Sequence, residues 1–155
     1  MGGAKTSIRI PTLRELLKQV GAHRDMRGVT ICEGWPGLAP NWADELMWVW
    51  SIEGGESWPT TMTSRHERED DFTITLRFRS AAPDTERLDL MERCERYMNA
   101  VGYVVGDGCH LQDQVDGLGE ITTGNKSGPY STPSATGGHY EARGEIDVLC
   151  KTRIE

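Results

Sequence analysis

Alternating apolar and polar residues predict two strands, one near the middle of the chain and one at its end. From Phe72 to Phe78 every second residue is apolar, and the residues between them are threonine or arginine. This period of two predicts a strand that is buried on one face only. The last strand is predicted from Tyr140 to Ile154, again with an apolar and a charged face. Its charged face consists of Glu141, Arg143, Glu145, Asp147, Lys151 and Arg153.

A strand with apolar residues on both faces is predicted from Glu45 to Glu53. Such a strand is typical of the interior of a sheet, where both faces are covered. A shorter strand is predicted before it, from Val29 to Glu33. The predicted faces of the longer strand are Leu46, Trp48, Trp50 and Ile52 on one side, and Met47 and Val49 on the other.

Two amphipathic helices are predicted from apolar residues spaced three or four apart. The first runs from Thr12 to Val20, and its Thr-Leu-Arg-Glu start has the pattern of a capping box. The second begins near Asp84, the expected N-cap, and continues to Val101 or Val105. Both helices carry charged residues on the face opposite to the apolar one.

Polar connections rich in glycine separate these elements. Residues 57–68 are predicted to be a long connection, residues 111–122 have weak strand character, and residues 124–138 have the composition of a loop. We therefore expect a flexible loop at about residues 122–138. The whole pattern predicts an α+β fold, with two main helices on a mostly antiparallel sheet and long loops between strands. It also predicts a single domain over residues 1–155.

Composition and charge narrow the function. Hydrophobic residues make up 37% of the chain and charged residues 26%, which is too apolar for a disordered chain. No apolar run approaches the roughly 20 residues of a membrane helix, and the first ten residues lack the apolar core of a signal peptide. A formal net charge of −7 disfavours specific binding to nucleic acid. We expect a cytosolic protein without membrane contact.

Reactive side chains form no recognisable constellation. The four cysteines, at positions 32, 94, 109 and 150, include no Cys-x-x-Cys pair, and the four histidines lack metal-like spacing. Cys109 and His110 could supply a thiolate and a base, but adjacent side chains usually point apart. The acidic pairs Asp70–Asp71 and Asp113–Asp116 fit a solvated turn as well as a cation site. The sequence thus predicts no catalytic residue, no metal, no cofactor and no enzymatic activity.

Residues suited to protein contacts are more prominent. All five tryptophans lie between positions 35 and 58, and tryptophan is enriched where proteins bind each other. The loop tryptophans could instead fold back onto the protein's own core, and the charged last strand could be an ordinary solvated surface. The interface candidates are Trp35, Trp42, Trp58, Arg65, Arg68, Lys126 and Tyr130, together with the charged face of the last strand defined above.

The order of these parts resembles the tail terminator family of long-tailed phages over nearly the full chain. No single motif carries the resemblance, which lies in the arrangement. The matching parts are the helix from Thr12 to Val20, the turn Glu33-Gly34-Trp35-Pro36, the strand from Glu45 to Ile52, the charged segment from Arg68 to Leu76, the helix from Asp84 to Val105, the segment Asp107-Gly108-Cys109-His110-Leu111, the variable loop and the long last strand.

The resemblance implies a structural virion protein that assembles in the host cytoplasm. Its copies would form a ring, expected to be a hexamer, that caps the polymerised tail tube. Its partners would be further copies of itself, the major tail tube protein and a head-completion or connector protein, with genomic DNA passing through the lumen without specific binding. Alternatives are another neck protein, such as a stopper or head-tail adaptor, a small enzyme using Cys109 and His110, or a small-ligand carrier using the tryptophan-rich strand.

Overall fold

A five-stranded sheet is the centre of the fold. The computed structural model describes residues 8–57, 69–106, 111–134 and 139–152. Trp58, Arg65, Arg68, Arg153, Cys109 and His110 lie outside the described residues. The strands are β1 (Thr30–Cys32), β2 (Glu45–Ser57), β3 (Glu69–Ser80), β4 (Leu118–Pro133) and β5 (Tyr140–Thr152), and the helices are α1 (Arg9–Ala22), α2 (Arg87–Val105) and the short α3 (Leu111–Gln114).

The strands lie side by side in the order β1-β2-β3-β5-β4. Only β1 runs parallel to its neighbour, while β2–β3, β3–β5 and β5–β4 are antiparallel pairs. Strands β2, β3 and β5 are therefore interior strands, and the long strand β4 forms one edge. The prediction of an α+β fold with a mostly antiparallel sheet is confirmed.

Helices cover one face of the sheet. Helix α2 packs against β3, β4 and β5, and α1 packs against α2 and α3. The core between helices and sheet contains the fully buried residues Leu16, Ile74, Leu76, Phe78 and Met98. Burying one such side chain contributes about 1.5–3 kcal/mol, so this face accounts for most of the apolar driving force. We call it the covered face and its opposite the open face.

Pairing of β3 with β5 sets which side chains reach the open face. The register places Arg77 opposite Glu145, Thr75 opposite Asp147, and Arg79 opposite Arg143. The apolar residues that alternate with these are buried in the core as predicted, except Tyr140 at the start of β5, which is 47% exposed. Because side chains alternate along a strand, the charged positions of β3 and β5 fall on the same face.

The prediction of a loop from residue 124 onward is wrong for residues 124–133, which belong to β4. Their glycine, serine and threonine content is typical of loops, but six of the ten residues pair with β5. Register shifts between Thr123 and Lys126, and between Ser127 and Tyr130, accommodate the glycines and Pro129. Residues 135–138 of the predicted loop lie outside the described part. Residues 111–117, predicted as weak strand, contain α3 instead.

Predicted helix caps are also corrected. Helix α1 begins at Arg9, three residues before the proposed cap, and Thr12 is fully buried inside it. The backbone N–H of Thr12 donates to the carbonyl of Ile8 at 2.9 Å. Helix α2 begins at Arg87, after Asp84, which has a φ of 57°. Pro11 fits the first turn of α1, because proline needs no hydrogen-bond acceptor there.

A bulge in β2 changes which face of the sheet its later side chains occupy, so part of the prediction for this strand is wrong. Val49 pairs with Leu76 and Ser51 with Thr75, so Trp50 has no partner in β3. The extra residue reverses the alternation that follows, and Ile52 packs with the core instead of sharing the face of Trp48. Trp50, which lies on a face predicted to be covered, is 52% exposed.

Candidate functional site

The open face carries a ladder of charged residues across β3 and β5. The Arg77 Nε donates to Glu145 Oε1 at 2.8 Å, and the Thr75 hydroxyl donates to Asp147 Oδ1 at 2.8 Å. Both pairs are cross-strand neighbours, a placement that favours hydrogen bonds between side chains. These contacts follow directly from the register of the two strands.

A buried ionic cluster lies at the end of this ladder. Glu141 is fully buried, and its Oε2 accepts from Arg79 Nε at 2.8 Å and from Arg143 Nε at 2.7 Å. Arg79 is also fully buried and donates to the carbonyl of Ala43 at 2.6 Å and to Ser134 Oγ at 3.3 Å. Burying an ion pair is costly unless its remaining donors find acceptors. The carbonyl and hydroxyl contacts provide these acceptors and tie two loops to the sheet.

Aromatic rings cover the guanidinium groups on this face. Arg77 Cζ lies 3.5 Å from the ring centroid of Trp50, and Arg143 Cζ lies 4.7 Å from that of Trp42. Trp42 also contacts the ring of Trp48, with centroids 5.3 Å apart, and donates through Nε1 to the carbonyl of Gly37 at 2.7 Å. A cation over an aromatic face is attracted by the ring quadrupole. The stacking therefore restricts the orientation of both guanidinium groups.

A cleft of about 190 Å³ opens between β3, β5 and β4 on the open face. Its lining residues are Trp48, Arg77, Ser127, Tyr130, Arg143, Gly144 and Glu145. Tyr130 is 49% exposed and pairs with Arg143 across β4 and β5. The cleft thus combines guanidinium groups, hydroxyls and aromatic walls, a set of groups that recognises anions and polar protein surfaces.

Five of the predicted interface residues lie together in and around the cleft. Tyr130, Arg143 and Glu145 line the cleft, and Glu141 holds Arg143 from below. Trp42 is half-buried and lies above the same arginine. Asp147 is on the same face, where it accepts from Thr75.

Other predicted interface residues lie elsewhere. Trp35 is 69% exposed in the loop before β2. Lys126 pairs with Ile146, a core residue, and its Nζ donates to Asn99 of α2 at 3.3 Å. Lys151 lies 3.7 Å from Glu120, and both side chains are exposed. Such an exposed pair contributes about 0–1 kcal/mol.

Sequence reasoning missed Arg77, Arg79 and Ser127. A signal for the two arginines was present, because they alternate with phenylalanine on β3 and oppose acidic residues on β5 in sign. Antiparallel pairing of these two strands places Arg77 directly opposite Glu145, whereas Arg79 lies opposite Arg143 and reaches Glu141 as a diagonal neighbour. No comparable signal marked Ser127, whose orientation depends on the bulges in β4.

A second polar cluster lies on the covered face, around Glu45. Its Oε1 accepts from the Ser80 hydroxyl at 2.6 Å and from the Tyr97 hydroxyl at 2.5 Å, while Arg93 NH1 lies 3.8 Å from Oε2. Burial, followed by the hydrogen bond to Glu45, raises the pKa of Tyr97 well above its ordinary value. This cluster fastens α2 to the ends of β2 and β3.

Within residues 8–57, 69–106, 111–134 and 139–152, no group of three or more metal-ligating side chains occurs. No helix in the same part of the chain is long and apolar enough to cross a membrane.

Comparison with known proteins gives little similarity. No family model and no curated protein matches the chain. Among solved structures, it is similar to the PVC sheath/tube terminator of an extracellular contractile injection system in the extended state, with 11% identity and a TM-score of 0.33. The match covers 99% of this chain but only 58% of that protein, less than two thirds of its length.

Proposed function

We propose that this chain is a structural tail protein, a terminator subunit whose copies form a hexameric ring on the end of a phage tail tube. The ring would stop tube growth and join the tail to a head-completion or connector protein. The observation that carries the proposal is the open face, where arginine and exposed aromatic side chains are concentrated on one surface. The order of the sequence elements, which resembles the terminator family, gives the proposal its specific form.

The composition of the open face supports a contact function. An antiparallel sheet commonly leaves one face to solvent, so polar residues alone would not distinguish it. Here the polar residues are accompanied by Trp50 and Tyr130, each about half exposed. Tryptophan, tyrosine and arginine are the residues most enriched at the energetic centres of protein interfaces. A surface of this kind is suited to binding another folded protein.

The loop before β2 extends the same argument. Trp35 is 69% exposed and Leu38 is 68% exposed, although both are large and apolar. The loop is fixed to the open face by Trp42 and by the bond from Arg79 to Ala43. An apolar loop held in a defined position offers area for binding at a low cost in conformational entropy.

Net charge is compatible with a ring around DNA. Six copies of a chain with net charge −7 carry six times −7, or −42. An acidic assembly disfavours adhesion to a polyanion and so would let DNA slide. The proposal assigns the chain a contact role in the virion, with no reaction and no cofactor.

Assembly with tail tube protein tests the proposal. The molecular mass of the purified chain is measured in solution. The chain is then added to polymerising tube protein of the same virion, and the tubes are imaged by negative-stain electron microscopy. We expect rings, and tubes that stop growing with a ring at one end. A monomer that neither forms rings nor binds tube ends would contradict the proposal. Rings that bind the connector but ignore the tube would identify a stopper or another neck protein instead.

An enzymatic role would give a different result. Replacing Cys109 by alanine should leave ring formation and tube capping unchanged if the chain acts by contact alone. Loss of a measurable turnover in this variant, with assembly intact, would favour the catalytic alternative.

A further inference from the structure

Two guanidinium groups in the cleft are fixed in orientation and keep donors that could bind an anion. Arg77 and Arg143 each donate through Nε to a glutamate of β5, and each lies against a tryptophan ring. Within the described residues their terminal NH₂ groups make no hydrogen bond. A guanidinium fixed in this way offers parallel N–H donors that match the two oxygens of a carboxylate.

Hydroxyl groups complete the cleft. Ser127 and Tyr130 come from β4, on either side of the bulge that includes Pro129. Ser127 is exposed and its hydroxyl has no partner among the described residues. The β3 and β5 side of the cleft therefore has two guanidinium groups and the carboxylate of Glu145, which Arg77 binds. The β4 side has neutral donors, and the volume accommodates a short acidic side chain.

A complementary surface lies on the same chain, at the turn before α2. We call it the acidic corner and define it as residues 84–89. Leu88 is 75% exposed, the most exposed large apolar side chain in the described part. Asp84, Glu86 and Asp89 around it are exposed and make no ion pair within the described residues. The corner also contains Arg87, which lies over the ring of Tyr140 at 3.5 Å, so its three negative charges and one positive charge give a formal charge of −2. An apolar anchor next to three carboxylates complements a cleft with aromatic walls and guanidinium groups.

A single chain does not bring these two surfaces together. The acidic corner leads into α2, which packs on the covered face, whereas the cleft opens on the other side of the sheet. A contact between corner and cleft is therefore a contact between copies. Because the two surfaces differ, the contact is heterologous and runs head to tail, the kind of contact that generates rings.

Pairing through the strand edge is disfavoured by the structure of β4. This exposed edge carries three register shifts, Pro129 in the last of them, and Lys126. Bulges, proline and lysine are features by which proteins prevent one sheet edge from pairing with another. Side chains of the open face, rather than the backbone of β4, are thus the groups available to a neighbouring copy.

We propose that the cleft of one copy binds the acidic corner of the next, with Leu88 against the aromatic wall and a carboxylate of the corner on Arg143 and Arg77. The inference rests on the proposed ring and names the contact that builds it. The occupant is a second copy of this chain, because the chain is acidic overall and itself presents the matching surface.

Cross-linking between two cysteine variants tests the contact. Full-length chains carrying Leu88→Cys and Ser127→Cys, each with Cys32 and Cys109 replaced by serine, are mixed under mild oxidation. We expect a disulfide-linked dimer, since a disulfide requires Cα atoms within about 7 Å. The control pairs Leu88→Cys with Thr123→Cys, an exposed residue of the same strand on the other face. A yield no higher than that of the control would overturn the inference.

Charge in the cleft gives a second readout. Ser127→Glu places a carboxylate beside both arginines, while Ser127→Gln adds similar bulk without charge, and neither removes a hydrogen bond of the described fold. We expect the glutamate variant to need about tenfold more protein for assembly than the glutamine variant. Equal assembly of the two variants would refute a carboxylate in the cleft.

The outcomes separate this inference from the proposed function. Rings that cap tubes without the Leu88–Ser127 cross-link would overturn the contact and leave the function standing. Cross-linked copies that never bind tube ends would support the contact and contradict the terminator role. A chain that neither cross-links nor assembles, with or without tube protein, would contradict both.

Discussion

Replacing Glu141 by glutamine should destabilise the protein far more than the same substitution at Glu145. The two glutamates lie on β5, four residues apart on the same face, and each binds an arginine of β3 at 2.8 Å. They differ in burial: the pair of Glu141 and Arg79 is fully buried, while Glu145 and Arg77 are each about one third exposed. Glu141 also accepts from Arg143 at 2.7 Å, so the comparison measures the effect of burial together with that of a second arginine.

The expected loss in the free energy of unfolding depends on how well the arginine is solvated once its glutamate is removed. Removing one partner of a buried ion pair typically costs about 3–5 kcal/mol, because the other charge stays desolvated without a counter-charge. Glutamine keeps one acceptor oxygen, so we expect about 3 kcal/mol for Glu141→Gln. An exposed pair contributes about 0.2–1 kcal/mol, so Glu145→Gln should cost less than about 1 kcal/mol. Against a total of about 5–15 kcal/mol, the first loss is large.

Urea unfolding monitored by tryptophan fluorescence measures both values. Wild type and variants are compared at equal protein concentration, because assembly adds to the apparent free energy of unfolding. Trp42 and Trp48 lie close to the cluster, so their emission should report its loss. If the two variants lie within about 1 kcal/mol of each other, the argument from burial is refuted.

Further predictions concern two glycines and two thiols. A methyl group on Gly54, which has a φ of 152°, would lie 2.3 Å from the Asp71 carbonyl oxygen, so Gly54→Ala should cost about 2 kcal/mol in thermal unfolding. Gly102→Ala lies inside α2, where the added carbon has no atom within 4 Å besides its chain neighbours and its own helix backbone. It should instead stabilise by about 0.5–1 kcal/mol. A stabilised Gly54 variant would contradict the first expectation. Burial raises the pKa of Cys94 and Cys150 to about 12, so iodoacetamide at pH 8 should modify them only after unfolding, as read by mass spectrometry. Because the unfolded thiols lose their protons above about pH 9 while the folded ones keep theirs, the free energy of unfolding should fall as pH rises from 9 towards 12.

Periodicity predicted the elements whose burial is one-sided. The alternation from Phe72 to Phe78 corresponds to β3, and the alternation after Tyr140 corresponds to β5. These patterns are reliable because one face packs on helices and the other does not. The exposure of Trp50 could not be predicted in the same way. A bulge depends on how the partner strand pairs, and the alternation of β2 alone does not indicate it.

Amino-acid composition gave a wrong prediction where pairing with a neighbouring strand determines the structure. Residues 124–133 have the glycine, serine and proline content of a loop, yet six of the ten pair with β5. Strand propensity depends strongly on such context. The cap predicted at Thr12 failed for a related reason, since tertiary packing buried the residue within a longer helix.

Charges of the candidate site were partly predictable. The alternating signs on β5 marked Arg143 and Glu145 as interface candidates, and both line the cleft. The full burial of Glu141 was not predictable, because it requires the loop with Trp42 and Ala43 to close over Arg79. That closure joins residues 36 positions apart along the chain, and no local pattern records it.

An image of the assembled particle tests the central claim most directly. Virions are purified with a small tag on this chain, labelled, and viewed by electron microscopy. The account predicts label in a single ring at the end of the tail tube that faces the head. Label along the tube, at the opposite tip, inside the head or on no particle would contradict it.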